Sequence, residues 1–309
     1  MKNKNSEDYI EDEIDLAVLV RALFQGKWII IGFTSLASII VVIYSLSLPN
    51  IYKAEGLLVP ISSKENVGGN VQNLGGLASL AGISLTDSSD NSAVAFEKLH
   101  SLSFFEEKIL PQINLPDLMA VESWSPSSNV ITYDPEIYDE QTKVWTREIT
   151  ALQTPKPSAQ ESFKVFMEHL TLFQDIKTKL VTISARHQSP FIAKQWADLV
   201  ISEINSFYRE KDRSEATFAV DYLNEQLSKT RLSEVKVVIA EVLAQQIQTL
   251  TLIEANNNYV FDFIDPPAVM EKKSEPRRAI ICIIGALVGG FIGAIFALFK
   301  FFKPFRLED

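Results

Sequence analysis

WIIIGFTSLASIIVVIYSLSL, Trp28 to Leu48, and AIICIIGALVGGFIGAIFALF, Ala279 to Phe299, are apolar runs without a single charge. A helix crosses the hydrocarbon core of a bilayer with about 20 mainly apolar residues, and both runs reach that length. A buried core helix rarely runs so far without a charge, so both are read as membrane spans. The first is not a signal peptide. The residues before it include Glu7, Asp8, Glu11, Asp12, Glu13 and Asp15, whereas a signal peptide opens with a basic segment and has a shorter apolar stretch.

The spans divide the chain into an N-terminal tail (1–27), a first transmembrane helix (28–48), a central domain (49–278), a second transmembrane helix (279–299) and a C-terminal tail (300–309). Two spans place both termini on one side. Near the span ends, the tails carry Arg21, Lys27, Lys300, Lys303 and Arg306, and the central domain carries Lys53, Lys272, Lys273, Arg277 and Arg278. Long translocated segments escape the positive-inside rule, so the tails weigh more and both termini are expected in the cytoplasm.

Composition narrows the function. A net charge of −10 lacks the basic stripe that nucleic-acid binding needs. The single cysteine, Cys282, lies inside the second span and excludes an intrachain disulfide framework. His100, His169 and His187 are scattered, which argues against a histidine-built metal centre. There is no G-x-x-x-x-G-K-[ST], no G-x-S-x-G and no H-E-x-x-H. His187 follows a strand and has no partner in the sequence, so it reads as a structural histidine. No catalytic residue, cofactor or metal is expected, and a structural or regulatory role moves forward.

Within the central domain, Ile51 to Ile61 reads as a strand, as do Leu180 to Ala185 and Tyr259 to Ile264. The last is expected to pair with the first and close an α+β base. Asn66 to Thr86 carries no charge and is rich in glycine, with Leu74, Leu77 and Leu80 as candidates for docking onto a neighbour. Ala93 to Leu110 and Gln160 to Phe173 read as amphipathic helices, and Trp124 and Trp145 as anchors of a small core. From Phe191 to Asp265 there is neither Gly nor Pro, and good helix formers dominate. A long projecting helical region over about 190–257 is expected, with Lys211 to Ser214 as a possible break. Its stripe Leu223, Leu227, Val235 and Val242 needs a partner, as in a coiled coil. That partner is either a second helix of the chain or another subunit, and because the other helices look short, self-association is expected.

In the second span Gly285, Gly289 and Gly293 recur every fourth residue, the spacing that lets helix backbones approach in lipid. The contact is either with the first span or with another subunit. Pro266, Pro267 and Pro276 precede this span and are candidates, with the three glycines, for span geometry and partner contact.

Four segments in order resemble the Wzz-type polysaccharide co-polymerases, the O-antigen chain length determinants. They are DEIDLAVLVRALFQGKWIIIG (Asp12 to Gly32), SLPNIYKAEGLLVP (Ser47 to Pro60), HQSPFIAKQWADLVISEIN (His187 to Asn205) and YVFDFIDPPAVMEKKSEPRRAIICIIGALVGG (Tyr259 to Gly290). The resemblance implies a bacterial inner-membrane protein with a periplasmic α+β base, a long helix and ring-like homo-oligomers. It implies no catalysis. The partners implied are a Wzy-type polymerase and a lipid-linked polysaccharide, whose modal length the protein sets. The autokinase branch of the family carries a Walker domain and a tyrosine tail; here the sequence ends soon after the second span and its last tyrosine is Tyr259. The proline segment is sparser than the family's, with Met270-Glu271 in part of that stretch. A reading from another class is a periplasmic adaptor of an export machine. Such adaptors pair two long helices around a tip and carry small barrels, so hairpin symmetry discriminates between the two.

Overall fold

The computed structural model describes residues 16–61, 91–151, 153–256 and 258–302. Leu74, Leu77 and Leu80 therefore lie outside the described residues, as does the start of the segment from Asp12. In chain order the elements begin with α1 (Leu16–Gln25), α2 (Lys27–Ser47), β1 (Tyr52–Pro60) and α3 (Asn91–Lys98). Then come α4 (Leu102–Phe104), continued by a π-helical turn and a 3-10 turn, and α5 (Leu115–Met119). Two small hairpins follow, β2 (Val121–Ser125) with β3 (Val130–Tyr133), and β4 (Tyr138–Asp139) with β5 (Val144–Trp145). The rest is α6 (Ala159–His169), β6 (Leu170–Gln174), β7 (Val181–His187), α7 (Pro190–Lys229), α8 (Ser233–Ala255), β8 (Phe261–Asp265) and α9 (Arg278–Phe302). The chain forms two compact units. One holds the described residues up to Asn50 and from Ser274 onward; the other is Ile51–Lys273.

The second unit is α+β. Its sheet has the order β6-β7-β1-β8 and is antiparallel throughout, so the expected pairing of the first and last strands is present. Opposed residues Ala54 and Ala185, Gly56 and Ile183, and Leu58 and Val181 all point to one buried face, as the two-residue period of a strand requires. Helix α7 covers that face. Its Ala193, Trp196, Ala197, Val200, Ile201, Ile204 and Tyr208 recur at three and four residues and are all buried. Ser158 and Glu161 start α6 with a reciprocal capping box, which satisfies two otherwise orphaned backbone donors.

Several expectations need correction. Trp196, not Trp124 or Trp145, centres the core, with rings of Phe166, His169 and His187 at 5.6, 5.8 and 5.0 Å. Trp124 stands edge-on to Tyr52 and Trp145 lies against Tyr138, each half-buried on a two-stranded hairpin too small to enclose it. The helix expected to reach Phe173 stops at His169, because Leu170–Gln174 completes the open ladder of β7 and turns Leu170 into the core. Pairing across space overrides local helical periodicity there. The helix expected over Ala93–Leu110 is interrupted at Ser101, which is extended and whose Oγ accepts the Phe104 N–H at 3.3 Å. A serine that bonds nearby backbone favours such a cap over helix continuation.

The long helical run is a hairpin rather than one rod. Helix α7 continues through Lys211–Ser214 and ends at Lys229, and α8 packs back along it. At 1.5 Å per residue the arms are about 60 Å and about 35 Å long. The turn, Thr230 to Leu232, uses extended backbone, with φ −76° at Thr230 and −82° at Leu232. No left-handed residue is needed, so no glycine announces the turn.

Among the described residues three helices are long and apolar enough to cross a membrane, one more than the two expected from the sequence. Mean hydropathy is 2.4 for Lys27–Ser47, 2.6 for Arg278–Phe301 and 1.2 for Ser233–Ala255. The third qualifies because Glu241 is the one charge between Val237 and Ile253. It differs in carrying that carboxylate and three glutamines along its length.

Candidate functional site

The first unit is a helix pair whose contact is written in glycines. Helices α2 and α9 lie side by side, and the glycines of α9 meet α2 in descending order, which makes the pair antiparallel. Gly285 faces Val41. A Cβ at Gly289 would sit 2.5 Å from the Ala37 Cβ and 3.1 Å from the Phe33 carbonyl oxygen. A Cβ at Gly293 would sit 2.9 Å from the Ile30 Cα. Any side chain at these positions forces the helices apart. The small-residue register is thus used within the chain, against the first apolar helix. Phe33 and Phe296 close the seam with ring centroids 5.4 Å apart. Gly26, at the junction of α1 and α2, faces Ala297 in the same way.

The prolines divide. Pro267 is buried on β1, where a Cβ at Gly56 would come within 3.1 Å of its ring and 3.0 Å of Ile201. Gly56 is therefore the residue that admits both neighbours. Pro266 is exposed and Pro276 half-buried. Of the helix stripe, Leu223, Leu227 and Val242 are half-buried along the hairpin, and Val235 is exposed.

The hairpin is tied at its base by a residue that the sequence reading did not single out. Asn205 is 5% exposed, and every polar group of its side chain is used. Oδ1 accepts the N–H groups of Tyr259, Val260 and Phe261 at 3.1, 2.8 and 2.9 Å. Nδ2 donates to the carbonyls of Ile201 and Phe261, both at 3.1 Å. The reason lies in the ladder. The Ile61 N–H donates to the Val260 carbonyl at 2.8 Å, so Pro60 and Phe261 form the non-bonded pair of the ladder, and the N–H and carbonyl of Phe261 face the open edge of β8, where Asn205 takes both. The signal in the sequence was an asparagine four residues after Ile201 on an otherwise apolar stripe.

Two further links join the return of the hairpin to α7. The Tyr259 hydroxyl donates to Asp212 at 2.6 Å, and burial together with that bond pushes the Tyr259 pKa up. Arg213 forms a two-pronged pair with Glu254, which holds the Glu254 carboxyl below its ordinary range. The stretch expected as a break is thus where the second arm is tied down. Farther along, Phe218, Tyr222, Val237, Val238 and Ile247 stand exposed on the two arms.

His187 holds no poised base. Its Nδ1 accepts the Ser189 N–H at 2.9 Å, so the proton sits on Nε2 and is donated to the Asp117 carbonyl at 2.9 Å. Burial lowers its pKa to about 4, with the nearby His169 adding to the effect. The ring is neutral, fully bonded and packed on Trp196. Among the described residues no three His, Cys, Asp or Glu side chains gather to hold a metal.

The chain thus combines helices long and apolar enough to cross a membrane with an α+β unit that carries a helical hairpin. Residues 12–107 carry the Wzz family pattern, matching the family model described as chain length determinant protein. The resemblance drawn from the sequence is met over that segment. A solved structure described as a full-length bacterial polysaccharide co-polymerase is similar at 13% identity and a TM-score of 0.41, covering 96% of this chain and 100% of the other. A fragment of WzzB, a polysaccharide co-polymerase from Salmonella Typhimurium, is similar at 14% identity and a TM-score of 0.31, covering 73% of this chain and 100% of the fragment. No curated protein matches.

Proposed function

We propose that this protein regulates, without catalysis, the modal chain length of a surface polysaccharide made by a Wzy-type polymerase, most simply lipopolysaccharide O-antigen. It acts as an inner-membrane homo-oligomeric scaffold. The observation that carries this reading is the chain length determinant match over residues 12–107. In this reading α2 and α9 are the two spans, residues 49–278 are periplasmic and both termini are cytoplasmic. Helix α8 stays outside the membrane, because a carboxylate such as Glu241 costs roughly 2.5–3.5 kcal/mol near a span centre. The exposed apolar residues Phe218, Tyr222, Val237, Val238 and Ile247 support contact with other copies. Gly285, Gly289 and Gly293 hold the span pair together. Pro266 and Pro276 are the residues offered to the polymerase and the lipid-linked polymer.

The test is a gel of lipopolysaccharide from a strain lacking the protein beside the complemented strain. Loss of the preferred ladder length, restored by complementation, is the expected result. An unchanged ladder counts against an O-antigen role. The second reading, an export adaptor, gains from one observation, the hairpin of α7 and α8. It is disfavoured by the arms' unequal lengths, 40 and 23 residues, and by a sheet that is open at β6 and β8 rather than closed into a barrel.

A further inference from the structure

Where α9 finishes, α1 joins the helix pair. Gly26 separates α1 from α2, with ψ at 5° where a continuing helix needs about −40°. Helix α1 packs on α9 and turns Ala22 inward, at 1% exposure. Between the three helices lies a crevice of about 380 Å³. Small-molecule sites occupy roughly 300–1,000 Å³, so there is room for a ligand. The apolar walls include Ala22, Ile29, Ala297 and Phe301, and the polar side chains are those of Gln25 and Lys300. Two further observations bear on what fits. First, the charge is of one sign. Residues 16–30 and 290–302 contain Arg21, Lys27 and Lys300 and no Asp or Glu. Lys300 is exposed and makes no ion pair among the described residues. Second, the outer surface beside these cations is apolar. Val20, Phe24 and Trp28 are 47%, 72% and 76% exposed. Aromatic and apolar residues beside cations at the end of an apolar helix mark the layer between hydrocarbon and water.

We propose that this crevice binds the headgroup of an anionic phospholipid. Lys300 holds the phosphate, Gln25 is a second donor, and Ile29 and Phe301 take the first carbons of the acyl chains. An ammonium and a phosphate form a charge-assisted hydrogen bond, which apolar walls strengthen by lowering the local dielectric. Those walls select a lipid over a free anion, because they offer nothing to a bare phosphate. The inference rests on reading α2 and α9 as membrane spans, which sets the crevice at headgroup level.

The experiment uses the full chain purified in a mild neutral detergent and native mass spectrometry of retained lipid. Phosphatidylglycerol and phosphatidylcholine with the same acyl chains are added in equal amounts. Wild-type protein is expected to retain phosphatidylglycerol at least fivefold over phosphatidylcholine. Lys300→Gln is expected to lower phosphatidylglycerol retention at least fivefold, and Lys300→Arg to keep at least half of it. Lys27→Gln is the control. It removes the same charge at the same end of the pair, from a residue that does not line the crevice, and is expected to lose less than twofold. Both lysines are exposed, so neither substitution threatens the fold. Equal losses from Lys300→Gln and Lys27→Gln would reduce the effect to a general positive field and overturn the site, as would equal retention of the two lipids. Millimolar glycerol 3-phosphate is expected to leave the lipid in place; displacement would show that the acyl chains contribute nothing and overturn the assignment to a lipid. Failure of the span reading itself looks different, because the protein then fractionates as soluble without detergent.

Discussion

Replacing Asn205 by Leu is the sharpest test of how the hairpin is held. The substitution keeps the volume and removes five hydrogen bonds. The Ile201 carbonyl keeps its place in the helix, but the N–H groups of Val260 and Phe261 and the carbonyl of Phe261 lose a partner in a buried setting. Each orphaned buried group costs about 1–3 kcal/mol. Relaxation of an edge strand and about 1 kcal/mol gained from burying the leucine methyls offset part of that. The net expectation is about 3 kcal/mol, or roughly a hundredfold in the local opening constant. Hydrogen exchange on the full chain in detergent reads this directly: the amides of residues 259–261 should exchange about a hundred times faster, with α2 and α9 unchanged. Asn205→Asp should fall between, because it keeps the acceptor oxygens and turns a carboxylate toward two carbonyls. Unchanged protection of residues 259–261 in the Leu variant would refute the assignment of Asn205 as the tie.

Other expectations follow from the same contacts. Gly289→Leu should drive α2 and α9 apart, so disulfide cross-linking between cysteines placed at positions 33 and 296, whose side chains meet across the seam, should drop at least fivefold; undiminished cross-linking would mean the helices tolerate a side chain there. Trp196→Ala should destabilise the sheet unit by about 3–5 kcal/mol, measured as a shift in urea midpoint. His187 makes stability depend on pH. Its folded pKa of about 4 lies below the ordinary 6.5, so the unfolded chain binds the proton more readily between those values. The contribution of His187 is complete above pH 6.5, falls by about 1.4 kcal/mol per unit toward pH 4, and levels off below it. His187→Gln should remove most of that slope, and an unaltered slope in the variant would assign it elsewhere. Ser158→Ala should cost about 1 kcal/mol through loss of the α6 cap, read from the thermal midpoint.

Much of the architecture was legible because it rests on one-dimensional signals. An uncharged run of 21 residues reports a membrane-length helix, strand alternation reports a half-buried sheet, and glycines at every fourth residue report a close helix contact. The hairpin turn at Thr230–Leu232 was invisible for a definite reason. Its backbone stays at negative φ, so any residue serves and none marks the place. The charged Lys211–Ser214 stretch looked like an interruption, yet Asp212 and Arg213 are there to receive Tyr259 and Glu254 from the returning arm. Trp196 rather than Trp124 or Trp145 lies in the core because burial depends on what folds over a residue, and α7 lies on the sheet whereas β2–β5 form only small hairpins.

By itself, then, the chain's composition and periodicity determined the two uncharged helices of membrane length, the strands at Ile51, Leu180 and Tyr259, and the want of a recognisable catalytic motif in the sequence, since each depends on residue type at fixed local spacing. Tertiary structure alone decided that the glycines of α9 face Val41, Ala37 and Ile30, that α8 is the partner of α7, and that Asn205 bonds the open edge of β8. Those are choices among partners far apart in the chain, and the free energy that makes them comes from surfaces that exist only once both sides are folded.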